Sequence, residues 1–180
     1  MSDSQKANDF VQLGRTFREL AKHARESDSF DLNQAFVTGP RLSWGDLLKG
    51  FRTVILSEAG TGKTEEIRQT AKHLRAAGKR AFFLRLEHVP YDLEDAFEVG
   101  TSDEFAQWLF STDEAWLLLD SVDEARLRNP GDFERAVRML GRRIQAANSR
   151  AHIVLTGRAS AWRAKTDLDL CETHLPIVPE

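Results

Sequence analysis

Apolar residues recur along this chain at two spacings, one typical of helices and one of buried strands. Three stretches have apolar residues at helical spacing: residues 4–26, 65–77 and 131–148. Four continuous apolar runs predict strands: residues 54–56, 81–86, 115–119 and 152–156. A final run at 174–178 contains Pro176 and predicts an edge strand. The alternation of strands and helices predicts right-handed crossovers, a mainly parallel sheet and an α/β domain.

Two short helices have recognisable starts. Ser43 precedes a short helix at 46–49, and Thr101 with Glu104 has the form of a capping box. Between them, residues 87–100 are acidic and irregular and predict a solvated loop. The helix at 131–148 has an arginine-rich face, for which solvation and contact with an acidic partner or phosphate are the two interpretations. That face consists of Arg135, Arg138, Arg142 and Arg143.

Composition narrows the class of protein. At 180 residues and 41% hydrophobic content, the chain has the size of one domain with a substantial core. A net charge of −3 gives no overall signature of nucleic-acid binding. The single cysteine excludes an internal disulfide and is typical of a reducing compartment. We find neither a signal peptide nor an apolar run near the roughly 18 residues of a membrane span, and therefore expect a cytoplasmic protein.

A glycine-punctuated turn follows the first predicted strand of the α/β core. We expect Gly60 and Gly62 to allow positive φ, so that backbone N–H groups converge on an anion at the start of the next helix. Lys63 would contact the β- and γ-phosphates, and the Thr64 hydroxyl would bind Mg²⁺. The expected nucleotide-binding residues are Glu58, Ala59, Gly60, Thr61, Gly62, Lys63, Thr64 and Glu65. In the P-loop pattern G-x-x-x-x-G-K-[ST], the first glycine is replaced here by Ser57; a turn with a merely solvated lysine is the alternative.

Acidic residues follow the strand at 115–119. Asp120 ends that strand, where a carboxylate can hold the hydrated Mg²⁺ beside the phosphates. Asp123 and Glu124 are the candidates for the general base, with capping of the next turn as the alternative. Arg158 follows the strand at 152–156 and could contact the γ-phosphate or form a structural ion pair. We therefore predict that Lys63, Asp123, Glu124 and Arg158 act in catalysis, and that Thr64 and Asp120 bind the metal.

Three motifs resemble those of the NACHT-type branch of the STAND P-loop ATPases. They are the loop ending Gly62-Lys63-Thr64, the run Leu117 to Glu124 with its displaced acidic pair, and Leu155 to Arg158. These are similar to the G-E-A-G-S-G-K-T, D-G-x-D-E and T-S-R motifs of the family and span about residues 50–180. Ser57 and Ser121 replace two of its glycines. The resemblance implies a three-layer sandwich with a five-strand sheet of order 5-1-4-3-2.

The resemblance also implies a function. We expect an ATP-binding, Mg²⁺-dependent switch with slow ATPase activity, the core of a signalling or anti-phage defence protein that oligomerises with ATP bound. We assign residues 1–50 to an N-terminal helical segment and linker, and 51–180 to the nucleotide-binding core. A lid and a sensor do not fit into this length, so we expect a fragment that works with the remaining domains of a longer chain.

Three other functions remain open. A degenerate core that binds nucleotide weakly could act as an interaction scaffold through its N-terminal helix. A GTPase is disfavoured because Ala164-Lys165-Thr166-Asp167 lacks the asparagine of N-K-x-D, and no D-x-x-G follows Asp120. A small-molecule kinase is not excluded, but no residue indicates an acceptor site.

The segment before the first core strand contains four apolar residues that could form either the wall of a purine site or part of the core: Phe36, Val37, Leu42 and Trp44.

Overall fold

The computed structural model describes residues 15–20, 37–58, 60–120 and 122–177. Its strands are β1 (Phe17–Leu20), β2 (Val37–Leu42), β3 (Arg52–Ser57), β4 (Arg80–Arg85), β5 (Phe97–Val99), β6 (Ala115–Asp120) and β7 (Ala151–Arg158). Its α-helices are α1 (Trp44–Leu47), α2 (Lys63–Ala76), α3 (Ser102–Leu109), α4 (Val122–Arg128), α5 (Asp132–Arg143) and α6 (Ala164–His174). Two 3₁₀ helices span Gln145–Arg150 and Ala159–Ala161.

A five-stranded sheet lies at the centre, in the order β3-β7-β6-β4-β5. β3, β7, β6 and β4 are parallel, and β5 is antiparallel to β4. The predicted α/β class and mainly parallel five-strand sheet are confirmed. The relative order of the four strands predicted from apolar runs at 54–156 is also observed, with β7 between β3 and β6. The parallel strands therefore bring their carboxyl ends, including Ser57, Asp120 and Arg158, to one edge.

Helices cover both faces of this sheet, as in a three-layer sandwich. Along β6 every residue is buried, but alternate side chains enter different clusters. Trp116 and Leu118 pack with Ile67 of α2, whereas Leu117 and Leu119 join residues of α3, α4 and α5. This burial on both faces explains the continuous apolar run in the sequence, because neither face of the strand is in contact with solvent.

The predicted cap at Ser43 and the predicted capping box at Thr101 are both present, and the structure forms a capping box at each. Ser43 and Asp46 exchange side-chain and backbone hydrogen bonds at α1, and Thr101 and Glu104 do so at α3. These hydrogen bonds hold the pKa of Asp46 at about 2, below its usual value, because Ser43 donates to the carboxylate from its hydroxyl and its backbone. The local sequence therefore determines where these helices begin.

The predicted N-terminal helix is wrong over the part that the structure describes. Phe17–Leu20 form β1, which pairs antiparallel with β2, and a register irregularity lies between Phe17 and Glu19. Phe17 and Leu20 are both half-buried. In a regular strand, residues three apart face opposite sides of the sheet. The irregularity allows both Phe17 and Leu20 to be half-buried, so their i, i+3 spacing resembles that of a helix. Residues 4–14 and 21–26 of this prediction lie outside the described residues.

The predicted edge strand at 174–178 is also wrong, and with it the fifth position in the order 5-1-4-3-2. His174 is the last residue of α6, and the fifth strand is β5 at the opposite edge, beside β4. Leu168, Cys171 and Leu175 recur at helical spacing and contact the core, which accounts for the helix. Val178 lies outside the described residues.

Candidate functional site

A loop between β3 and α2 forms the candidate phosphate site. Gly60 and Gly62 have φ of 71° and 76°, as the sequence predicted, and Gly62 is the N-cap of α2. A Cβ atom at either glycine would meet nothing within 4 Å, because both face open space. The first N–H groups of a helix have no partner inside the helix, so those at the start of α2 are available to an anion.

One cavity of about 320 Å³ lies in front of this loop. Ten of the residues predicted for the site line it: Glu58, Gly60, Thr61, Gly62, Lys63, Thr64, Glu65, Asp123, Glu124 and Arg158. The eleventh lining residue is Arg68, on α2. Ala59 and Ser121 lie outside the described residues. Three motifs that are separated by up to a hundred residues in the chain therefore meet around one space.

Lys63 crosses the floor of this site from α2 to β7. Its ammonium group donates to the carbonyl of Gly157 at 2.8 Å. Burial lowers the pKa of Lys63 below its usual value, although the carboxylates of Asp123, Asp120 and Glu124 act in the opposite direction. The half-buried ammonium group of Lys63 therefore lies in the field of three carboxylates from β6 and α4.

Asp120 is almost completely buried at the end of β6, with 1% of its surface exposed. Its Oδ1 accepts a hydrogen bond from the Thr156 hydroxyl at 2.6 Å, whereas its Oδ2 is buried and has no partner among the described residues. An unpartnered buried carboxylate oxygen is costly unless a cation or water reaches it. The charge of Asp120 acts on Lys63, which places the two groups in one electrostatic site.

Arg158 connects β7 to the acidic pair on α4. Its Nε lies 2.6 Å from Asp123 Oδ2, and its backbone N–H donates to Asp123 Oδ1. Its Nη2 lies 3.6 Å from Glu124 Oε1, while Glu124 Oε2 is buried without a hydrogen-bond partner in the described part of the chain. The two predicted acids therefore differ, because both oxygens of Asp123 are engaged and one oxygen of Glu124 is not.

Three arginines near the site were missed by sequence reasoning. Arg68 pairs with Glu65 and Glu98, and Arg85 lies beside Asp120 in the parallel register of β4 and β6. Arg85 could have been found, since the carboxyl ends of neighbouring parallel strands share one edge. Arg15 donates to the carbonyl of Thr61. It had no signal in the sequence, because its segment was interpreted as a helix.

Two other predicted features do not line the cavity at the phosphate loop. Trp44 is half-buried against the α2 side of the sheet, and its indole N–H donates to Glu66 at 2.8 Å, which favours packing over a purine wall. Phe36 and the side chain of Val37 lie outside the described residues. The arginine face of α5 is exposed and borders a second cavity of about 290 Å³. That exposure agrees with a solvated face.

No family model, curated protein or solved structure matches this chain. Within the described ranges, no helix is long and apolar enough to cross a membrane. The same part of the chain contains no group of three or more His, Cys, Asp or Glu side chains suited to a metal ion.

Proposed function

We propose that this chain binds ATP with Mg²⁺ in the cavity at the β3–α2 loop and hydrolyses it slowly. On this proposal it is the nucleotide switch of a P-loop ATPase similar to the NACHT-type STAND proteins, in a signalling or anti-phage defence system. ATP-dependent assembly with further copies, and action together with other domains of a longer chain, belong to the same proposal.

The observation that carries the proposal is the convergence of three motifs on one cavity. The glycines and the α2 N-terminus offer N–H groups, Lys63 offers a point charge, and Arg158, which pairs in register with Ser57, offers a planar cation. A solvated turn with an exposed lysine would not require Lys63 to be half-buried beside three carboxylates. A polyphosphate fits this distribution of charge, with its negative groups at the loop and a divalent cation beside Asp120.

The oxygen donors at the site fit Mg²⁺. Asp120 Oδ2 is a buried carboxylate oxygen without a partner among the described residues, and Thr64 lines the cavity. Mg²⁺ prefers hard oxygen ligands and usually takes only one or two from the protein, with phosphate oxygens and water completing the octahedron. The lack of a three-carboxylate cluster is therefore consistent with a nucleotide-bound Mg²⁺.

Bound Mg²⁺ supplies charge neutralisation between the phosphate groups. Among the residues of the chain, Lys63 and the loop N–H groups hold the phosphates, and Thr64 and Asp120 orient the metal. Glu124, which lines the cavity, would accept a proton from the attacking water as that water bonds to the γ-phosphorus and the bond to the ADP oxygen breaks. Arg158 stabilises the negative charge that develops during transfer.

Calorimetric titration with ATP in the presence of Mg²⁺ tests the proposal. Lys63→Ala should weaken binding at least tenfold, because the charge nearest the phosphates is removed. Lys72→Ala is the matched control, since Lys72 is an exposed lysine further along α2 and should leave the affinity unchanged. Equal affinity for ATP in the wild type and in Lys63→Ala would refute the proposal. Competition between ATP and GTP would determine which purine base the site prefers.

The scaffold remains the second candidate, and one observation favours it. The three cations that line the cavity already have internal partners: Lys63 the Gly157 carbonyl, Arg158 Asp123, and Arg68 Glu65 and Glu98. A ligand must displace those contacts, which reduces its net binding energy. A folded wild-type chain without measurable ATP binding would select the scaffold.

A further inference from the structure

The segment before the central sheet contacts the phosphate loop through one arginine. Arg15 precedes β1, and its guanidinium donates to the carbonyl oxygen of Thr61, the residue before Gly62. The same side chain forms a salt bridge of 2.6 Å, from Nε to Glu66 Oε2. Arg15 is thus joined both to the loop and to the first turn of α2.

Glu66 is the centre of this network. It is buried, with 8% of its surface exposed, and its second oxygen accepts the Trp44 indole N–H at 2.8 Å. Phe17 of β1 packs edge-on against the same indole, with the ring centroids 5.1 Å apart. β1, α1 and the start of α2 therefore meet at one carboxylate.

The contact on Thr61 has a consequence for the geometry of the loop. The Thr61–Gly62 peptide is trans, so its carbonyl and its N–H point in opposite directions. When Arg15 holds the carbonyl, the Gly62 N–H is fixed on the other side of the peptide plane. Gly62 has no Cβ and a positive φ, and its peptide would otherwise rotate at low cost.

We propose that Arg15 is a positioning residue for the phosphate loop, which pre-orients the Gly62 peptide and couples the β1–β2 segment to anion binding. This inference rests on the proposed function for its ligand, a polyphosphate, but the orientation of the loop exists without one. A loop that is ordered before binding loses less conformational entropy when the ligand arrives. The same contact makes the site sensitive to anything that displaces the β1–β2 segment.

A purely structural role for Arg15 is the competing explanation. In that case Arg15 only docks β1 onto α2 through Glu66, and any change that loosens the docking should have the same effect. Trp44→Phe separates the two, because it removes the indole N–H donor to Glu66 but leaves the Arg15–Thr61 contact. Arg18→Met controls for the loss of an arginine from β1, where Arg18 is exposed.

Hydrogen exchange of the peptide covering residues 58–65, measured without nucleotide, is the first readout. Arg15→Met should raise the exchange rate of the loop amides about tenfold, corresponding to about 1.4 kcal/mol of lost local stability. Trp44→Phe and Arg18→Met should leave the loop exchange near wild type. Urea unfolding of each variant establishes that it is folded.

Affinity for ATP with Mg²⁺, and for inorganic tripolyphosphate, is the second readout. Arg15→Met should weaken both about tenfold, and the two controls should not. Wild-type exchange in Arg15→Met, or an equal increase in Trp44→Phe, would overturn the inference whatever the ligand. If Lys63→Ala retains full affinity for ATP, the proposed function is wrong. Hydrogen exchange of the loop amides then still tests the role of Arg15, because it is measured without nucleotide.

Discussion

Ser57 stands where the P-loop pattern has its first glycine. It is the last residue of β3 and pairs in register with Arg158, so its backbone is extended and needs no positive φ. Its hydroxyl lies 3.2 Å from the Thr61 hydroxyl and stays within the loop. The positions that require glycine are Gly60 and Gly62. The serine is therefore compatible with the backbone that the loop adopts.

Asp123 and Glu124 were equivalent candidates in the sequence, and their contacts now distinguish them. Asp123 is 6% exposed and receives both the guanidinium and the backbone N–H of Arg158. Both oxygens of Asp123 are therefore occupied in holding Arg158. Glu124 lines the cavity, and its buried Oε2 has no hydrogen-bond partner among the described residues. The geometry favours Glu124 as base and Asp123 as the residue that positions Arg158.

The rate of ATP hydrolysis in a single turnover should distinguish the proposed roles of Glu124 and Asp123. Glu124→Gln should lower the rate about 100-fold with little change in ATP affinity, since it removes the proton acceptor but keeps the shape. Asp123→Asn should lower the rate less and should also change the affinity, because Arg158 is released. Glu94→Gln, an exposed change on the loop before β5, is the control. Equal effects of the Asp123 and Glu124 variants would contradict the assignment.

At the scale of elements, the crossing of α5 and α6 depends on one glycine. A Cβ atom at Gly141 of α5 would lie 2.1 Å from the His174 carbonyl oxygen at the end of α6. Real side chains essentially never approach that closely, and a backbone carbonyl cannot rotate away. Gly141 therefore allows the end of α6 to pack closely against α5.

Gly141→Ala should lower the free energy of unfolding by about 1–3 kcal/mol, because the steric clash exceeds the roughly 1 kcal/mol gain in helix propensity. Gly131→Ala is the matched control at the start of the same helix. Its φ is −91° and a Cβ would meet nothing within 4 Å, so a change below about 1 kcal/mol is expected. Denaturant unfolding measures both. A neutral Gly141→Ala would show that α6 can shift freely.

At the scale of the whole molecule, the two ends of the sheet differ in character. The carboxyl end carries the cavity and its charged side chains, whereas the amino end is closed. There Arg52 donates to the carbonyls of Leu175 at 2.7 Å and Pro176 at 2.9 Å, and also to those of Asn148 and Ala151. Burial lowers the pKa of Arg52 to about 10. One side chain thus joins β3 to the residues that follow α6.

Arg52→Met should destabilise the chain by about 2–4 kcal/mol, because several buried carbonyls lose their donor together. Arg80→Met is the control at the amino end of β4. Arg80 pairs with Asp113 on the surface, and an exposed pair contributes less than about 1 kcal/mol. Urea unfolding with full m-value analysis measures both variants. Similar losses in the two would mean that Arg52 has no special role.

Much of the fold followed from local patterns. Apolar spacing and cap residues in the sequence placed α2, the four parallel strands and the starts of the two capped helices. Each prediction lies within a few residues of the observed element. β5 was missed because its three residues lie in an acidic loop without a clear apolar run. β1 was missed because its register irregularity gives its half-buried residues the spacing of a helix. In these cases the pattern was too short or too irregular to separate the two periods.

The order of the four parallel strands was an implication of the family resemblance. The sequence by itself determined the positive φ of Gly60 and Gly62, the positions of those strands and ten of the eleven residues that line the cavity. These depend on local glycine conformation, on buried runs and on strand ends that share an edge, all of which are encoded in neighbouring residues. Tertiary structure alone decided that Arg15 reaches Thr61, that Asp123 rather than Glu124 has both oxygens engaged by Arg158, and that α6 crosses α5 at Gly141. Those contacts join residues distant in the chain, and their distances depend on how the layers pack.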